Sequence, residues 1–505
     1  MLKEDVTFSL GLFSIHDRAA AELQYHYASP EVVKAPNGTH KVDGDSIYRI
    51  ASVSKLFTVY AGMIELSSED WNRPITEFIP ELAISAEKSD DDDESAVDEK
   101  AAAAAPSVVY GFPPLDLNVL GPCSNVSNPL CPTNDFIASL RSQPPSFLPW
   151  TSPAYADSGF MLLGLAIANI TNNPIEAVYH DSIFEPLGMT SSNSTAPTGE
   201  AELARSVLAD PQSFSLEGGF TTPSGGLFST INDLAKFGTS LLNSTLLPTN
   251  VTRKWMKPIT HTASLTHSVG APWEIQRYIH PSTGKVTDLY TKLGDSGSYG
   301  GVTAIIPDYG AGFSMLNGHS NATVRSHAAN TILDYITEAV LPALEAQAAA
   351  EAARNFVGTY VSTDSKLNSS LTVAFNESTV KAAPLDALSI SSWISNGTDV
   401  LASDLFEGVK PRLLPTILNQ NRSNGAGQVP FQASTNPQTN GYTQAGELAI
   451  GPFTGQYATN FDWLIVDQRH YGAIAIDLFI FDVDDKGKAE AVRPAVTRSK
   501  LNRSE

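Results

Sequence analysis

The sequence predicts a mixed α/β chain in two parts, an α+β unit over residues 1–356 and an all-β unit over residues 357–505. Three observations carry this reading. A chain of 505 residues is too long for one core. Up to Phe356, stretches of strand-like alternation are interleaved with stretches of helical period. From Val357 the pattern is strand-like throughout, with Asn, Gly and Ser turns, as in LTVAFNEST and FDWLIVDQRHYGAIAIDLFIFDV.

The elements follow in order. VTFSLGLFSI and AELQYHYA alternate and read as a hairpin. From Ser52, the apolar residues Leu56, Phe57, Tyr60, Met63 and Ile64 fall on one helical face. Residues 85–107, SAEKSDDDDESAVDEKAAAAAPS, combine a charge block with an alanine run and read as a solvated insertion without fixed structure. SGFMLLGLAIANIT has the apolar density of a buried helix. IFEPLGM reads as a helix end followed by a turn. GGLFSTINDLAKFGTSLL becomes a helix capped by Ser229 or Thr230. TDLYTKLGDSGSYGGVTAIIPDYGAGFSMLNG gives strands divided by glycine and proline turns, and TILDYITEAVLPALEAQAAAEAARNF a long helix that closes the first unit. The second unit reads as a small barrel or sandwich. No internal repeat stands out.

Composition narrows the function classes. The formal charge of −22 argues against a nucleic-acid partner, which needs a basic face. The longest apolar run, FMLLGLAIANI, is too short to span a bilayer. The two cysteines, Cys123 and Cys131, cannot build a metal site alone; they fit a small loop disulfide, with two free thiols as the alternative. N-x-S/T sequons occur at Asn37, Asn125, Asn169, Asn193, Asn243, Asn250, Asn321, Asn368, Asn376, Asn396, Asn421 and Asn502. Chance would give roughly a third to a half as many, so the excess points to a history of secretion. Yet MLKEDVTFSL is not a signal peptide, which leaves either a chain without its true N-terminus or a cytosolic one.

The chemistry centres on Ser52 and Lys55 in ASVSKLF. Serine is a weak nucleophile until a base takes its proton, and a lysine three residues on along a helix lies on the same face. Burial can hold such a lysine neutral. The bland alternative is a capping serine beside a solvated lysine. The same spacing recurs at Ser85/Lys88, Ser282/Lys285 and Ser378/Lys381, but only Ser52 follows a strand-like segment and opens an apolar helix. Two other places add weight. Tyr155, in SPAYADSGFMLLG, sits in a turn before a buried helix, where it could shuttle a proton to a leaving group or simply pack. Lys292, in YTKLGDSGSYGGVTAIIPD, lies on a strand, followed by glycines that let a substrate approach the backbone. An edge strand there could dock an acyl substrate and offer an N–H to an oxyanion.

The order Ser-x-x-Lys, Tyr-x-Asx, Lys-x-Gly resembles the serine β-lactamase and penicillin-binding protein superfamily, in its class C, DD-peptidase and esterase branch. ASVSKLF, YADSGFMLLG, IFEPLGM, GGLFSTINDLAKF and KLGDSGSYGGVTAIIP are similar to successive stretches of that family over about residues 5 to 345. The C-terminal unit is similar to an extra domain of secreted fungal members. The resemblance implies a β-lactamase/transpeptidase-like antiparallel sheet flanked by helices, with a helical subdomain. It implies Ser52 as the acylated nucleophile, Lys55 as its base or proton partner and Tyr155 as proton carrier. Lys292 would orient substrate and bias the tyrosine, Asp157 and Gly294 would line the substrate, and the N–H groups of Ser52 and Asp295 would form the oxyanion hole. No cofactor or metal is expected, and the partner is a small ester, amide or peptide. GDSG at Gly294 is similar to a chymotrypsin-like nucleophile box, but no matching histidine box is present.

The sequence also departs from the family. Asp157 stands where the pattern has Asn, exchanging an amide donor for an acceptor-only carboxylate when ionised. Leu293 stands where it has Thr, and Asp295 replaces a small residue, so a β-lactam carboxylate is unwelcome there. The helix with an H-T-S-G-like signature is missing; VVYGFPPLDLNVLGPC occupies its place. Two readings follow: a serine hydrolase, or an acyltransferase of the kind found in fungal secondary metabolism, working through a Ser52 acyl-enzyme; and a catalytically impaired member that binds a ligand without turnover.

Overall fold

A computed structural model describes residues 5–83, 132–141, 147–148, 151–281, 285–364, 366–376, 387–406, 410–416, 420–423, 426–434 and 469–504. The expected insertion at 85–107, the segment standing in for the missing signature, Cys123, Cys131, Asn125, and Ser85, Ser282 and Ser378 of the competing motifs lie outside these residues.

The chain divides into two compact units, Met1–Tyr278 with Thr287–Ile336, and Ile279–Val286 with Thr337–Glu505. In the first, β1 (Thr7–Ser14) and β2 (Gln24–Tyr27) pair antiparallel, as their alternation predicts. Two short strands, β3 (Tyr48–Arg49) and β4 (Phe228–Ser229), pair with each other. The remaining strands are β5 (Thr260–His261), β6 (His267–Val269), β7 (Glu274–Ile279), β8 (Val286–Asp295), β9 (Tyr299–Ile306) and β10 (Ala311–Gly318). They complete an eight-stranded sheet in the order β2-β1-β10-β9-β8-β7-β6-β5. β9 and β10 are buried at every position, the signature of central strands covered on both faces.

Three helices build the core around the candidate serine. Ser54–Glu65 buries nine consecutive residues from Ser54 to Gly62, Asp157–Thr171 is apolar along most of its length, and Ile231–Asn243 is capped by Thr230, whose side chain accepts from the Asp233 N–H. Phe57 of the first helix stacks on Phe237 of the third with centroids 4.2 Å apart, and Tyr60 stacks on Trp255 at 5.6 Å. Stacked aromatic pairs of this kind add about 0.5–1.5 kcal/mol beyond their buried area. IFEPLGM ends its helix at Leu187, with Gly188 in the left-handed region. The long helix runs Ala322–Phe356, starting nine residues before the apolar pattern shows it at Thr331.

In the second unit the strands close on themselves. Neighbours run Ser370–Asn376, Gly358–Ser362, Leu501–Arg503, Ala489–Pro494, Leu478–Val483, Ala426–Ser434, Arg412–Pro415 and Ala387–Ser395, which pairs back with Ser370–Asn376. Of the two architectures predicted, this is the barrel, with the short strands Thr398–Asp399 and Gln420–Ser423 paired outside the closed ring. Tyr360, Trp393, Phe479 and Phe481 fill its core. Among the sequon asparagines, Asn37, Asn169, Asn193, Asn243, Asn250, Asn321, Asn368 and Asn396 are exposed and Asn502 is half-buried. No helix among the described residues is long and apolar enough to cross a membrane.

Candidate active site

The chain reaches Ser52 through a constrained turn. After β3, the Ile50 N–H donates to the Leu227 carbonyl at 3.0 Å, and Ala51 adopts φ +47°, a left-handed conformation that an alanine adopts only under restraint. Ser54 supplies restraint: its hydroxyl donates to the Ala51 carbonyl at 2.6 Å and accepts from the Leu227 N–H at 3.1 Å. The result is a 3₁₀ turn, Ala51–Val53, leading into the Ser54–Glu65 helix, where the sequence pattern runs one helix straight from Ser52. Ser52 keeps partial exposure while Val53, Lys55, Leu56 and Phe57 are buried.

The i, i+3 spacing then brings Lys55 to its serine. The Lys55 side chain is fully buried and all three ammonium donors are used. They go to Ser52 Oγ at 2.9 Å, to the Ser224 carbonyl at 2.7 Å and to Asp157 Oδ1. Burial lowers the Lys55 pKa to about 8, against the opposing pull of Asp157. Tyr155 comes from the extended segment just before the Asp157–Thr171 helix, and its hydroxyl donates to Ser52 Oγ at 2.6 Å. Its ring lies between two cations, with Lys55 Nζ 4.8 Å and Lys292 Nζ 5.0 Å from the centroid. Desolvation pushes the Tyr155 pKa up, and Asp157 and Glu274 add to the rise. The phenol is therefore neutral and a donor at ordinary pH. Asp157 opens its helix as an acid in the first turn, where it suits the dipole, and spends its carboxylate on Lys55.

The strand β8 forms the other wall. Lys292 is buried and donates to Glu274 Oε1 at 2.5 Å and to the Leu293 carbonyl at 2.8 Å. Burial lowers its pKa, and Glu274 opposes the fall. At the turn beyond β8, the Ser296 N–H donates to the Tyr299 carbonyl. Counting back through the register, Gly294 and Gly301 form a hydrogen-bonded pair, so the N–H groups of Leu293 and Asp295 point away from β9. The Leu293 N–H meets Glu274 Oε2 at 2.8 Å. Gly294 is required here: a Cβ would lie 2.4 Å from the Ile50 carbonyl oxygen and 3.2 Å from the Ser52 nitrogen. The missing side chain lets β8 lie directly on the Ser52 turn.

The sequence candidates Ser52, Lys55, Tyr155 and Asp157 thus form one bonded cluster, and Lys292 and Gly294 flank it. Asp295 stands at the strand end, where its carboxylate pairs with Arg325 of the long helix. Sequence reasoning missed Glu274, the Ser224 carbonyl, Ser54 and Arg325. Glu274 lies eighteen positions from Lys292 and meets it only through the fold, so no spacing marks it.

Residues 20–336 match the Beta-lactamase family model, and residues 348–505 match the model described as Beta-lactamase-like-like, C-terminal domain. The first match covers more than half of the chain, which therefore belongs to the β-lactamase family. Among curated relatives, the "Beta-lactamase-like protein" of Arthroderma benhamiae is 27% identical over 98% of this chain and 87% of its own length. "Probable hydrolase clz13" of Cochliobolus lunatus is 26% identical over 75% of this chain; the chain covers 65% of that protein. Among solved structures, the D-amino acid amidase of Ochrobactrum anthropi SV3 aligns over 66% of this chain and 96% of its own, with 19% identity and a TM-score of 0.46.

Proposed function

We propose that this protein is a serine hydrolase that cleaves a small ester, amide or peptide through an acyl-enzyme on Ser52. One observation carries the reading: Ser52 Oγ accepts hydrogen bonds from both Lys55 and Tyr155, while Ser52 itself stays partly exposed. Family membership and the hydrolase names of relatives support the same class. In the acylation step, neutral Lys55 takes the Ser52 proton as Oγ bonds to the carbonyl carbon. Charge on the carbonyl oxygen falls toward the N–H groups of Ser52 and Asp295. The scissile bond breaks as Tyr155 protonates the leaving group, and the Lys55 ammonium, which holds the proton taken from Ser52, then reprotonates the Tyr155 phenolate. Water then attacks the acyl carbon and Ser52 leaves with its proton. An alcohol or amine in place of water would complete the same cycle as a transferase.

A fluorophosphonate probe tests the reading. Mass spectrometry should find the adduct on Ser52 and none on Ser52→Ala. A folded wild-type protein that takes no label and turns over no p-nitrophenyl ester would instead be the impaired binder. Product analysis with an added acceptor alcohol separates hydrolysis from transfer. We further propose passage through a secretory route, on the sequon excess and its exposed asparagines. Glycopeptide mapping of the native protein should find occupied sites; bare asparagines throughout would reject it.

A further inference from the structure

β8 ends at Asp295, one residue beyond the glycine that touches the Ser52 turn. A substrate whose carbonyl lies between Ser52 and the Asp295 N–H must therefore carry some of its remaining atoms past the Asp295 side chain. That side chain is 58% exposed, yet both carboxylate oxygens are committed. Oδ1 accepts from the Gly297 N–H at 3.0 Å, and Oδ2 forms an ion pair with Arg325 Nη2 at 2.5 Å.

Arg325 is a built feature rather than a surface side chain. It is 2% exposed, its Nε donates to the Gly297 carbonyl at 2.6 Å and its Nη1 to Asn317 Oδ1 at 2.9 Å. Gly300 makes room for it, since a Cβ there would lie 2.1 Å from Nη1. A buried guanidinium whose remaining nitrogen reaches the partly exposed Asp295 carboxylate is an anion site by its chemistry. Here the anion comes from the chain itself. The other cation of this wall, Lys292, is likewise paired, to Glu274.

We propose that Asp295 is a specificity residue: an internal carboxylate that occupies Arg325, excludes substrates bearing a carboxylate beside the scissile carbonyl, and selects uncharged or amine-bearing esters and amides. The proposal rests on the Ser52 reading for its substrate path. An incoming carboxylate meets Asp295 as a like charge at short range and finds Arg325 already neutralised. An ammonium or neutral group meets no such opposition.

Matched p-nitrophenyl esters of glutarate, monomethyl glutarate and 4-aminobutyrate test this. For the wild type, kcat/KM on the glutarate ester should be roughly tenfold or more below that on the neutral ester. In Asp295→Asn, which keeps an acceptor for the Gly297 N–H and leaves Arg325 uncompensated, the ratio of carboxylate to neutral ester should rise by roughly tenfold or more. An unchanged ratio overturns the proposal, as does a wild type that does not discriminate. Asp295→Ser serves if circular dichroism shows the first variant unfolded. Titration calorimetry with glutarate itself separates this proposal from the Ser52 reading, because it needs no turnover. Binding to the variant and not to the wild type supports the internal carboxylate even if every ester is inert. Equal or absent binding by both overturns it.

Discussion

The two walls of the site spend their charges differently. On the helix wall, one acid, Asp157, balances Lys55, and the lysine keeps a donor on the serine oxygen. On the strand wall, each cation is matched to its own acid, Lys292 to Glu274 and Arg325 to Asp295. The first arrangement leaves a reactive oxygen with two proton partners. The second leaves a wall without uncompensated positive charge among its described residues. Under the proposals above, reactivity belongs to the helix end and selectivity to the strand end, and each can be perturbed separately.

The largest effect should come from the helix wall. Lys55→Met removes the proton acceptor and should lower kcat by about 10³-fold or more, with the fluorophosphonate label on Ser52 slowed in parallel. Full activity in that variant would move the base elsewhere. Next is the joint between the walls. Gly294→Ala places a methyl 2.4 Å from the Ile50 carbonyl, so β8 must shift off the Ser52 turn. Activity should fall by roughly 10²-fold with the fold retained by circular dichroism, since a displacement near 1 Å carries such a cost. An active Gly294→Ala would show that the two walls need not touch. Tyr155→Phe should lower kcat by about 10²-fold, and most for poor leaving groups, because the lost function is proton donation. Equal losses on amides and p-nitrophenyl esters would make the hydroxyl a positioning group instead.

The smallest effect is a shift in pH dependence. Lys55 must be neutral to accept a proton, and its pKa is lowered to about 8, so kcat/KM should rise with pH through about 8. Asp157 raises the Lys55 pKa by charge and hydrogen bond, so Asp157→Asn should move that limb to lower pH. A limb that stays put or moves up would detach Lys55 from the profile. The same shift has a stability sign. A lysine whose folded pKa lies below its unfolded value releases protons earlier on folding, so the folded state gains stability as pH rises from about 8 toward 10.5.

Much of the site was legible because its chemistry is local. Ser52 and Lys55 are three residues apart, a distance that a helical turn converts into contact whatever surrounds it. Tyr155 was legible from its place before an apolar helix, and Lys292 from the glycines that follow it. Asp157, Leu293 and Asp295 were legible as departures, but the partners of the two acids, Lys55 and Arg325, were not. As a substrate-facing group, Asp157 carries one meaning; bonded to Lys55, it opposes the effect of burial on that lysine's charge. Glu274 and Arg325 carried no signal, because an isolated Glu or Arg in a strand or helix is the ordinary content of a protein surface.

The sequence by itself determined the periodicities: the strand–helix–strand order of the first unit, the all-β character of the second, and the serine–lysine spacing. These follow from backbone geometry, which repeats every two or about 3.6 residues and leaves its mark in the chain. Only the tertiary structure decided that the second unit closes as a barrel, that Leu227 pins the turn holding Ala51 left-handed, and which acid neutralises which cation. Those outcomes depend on contacts between residues eighteen to more than a hundred positions apart, where a buried charge must find a partner and the fold alone supplies it.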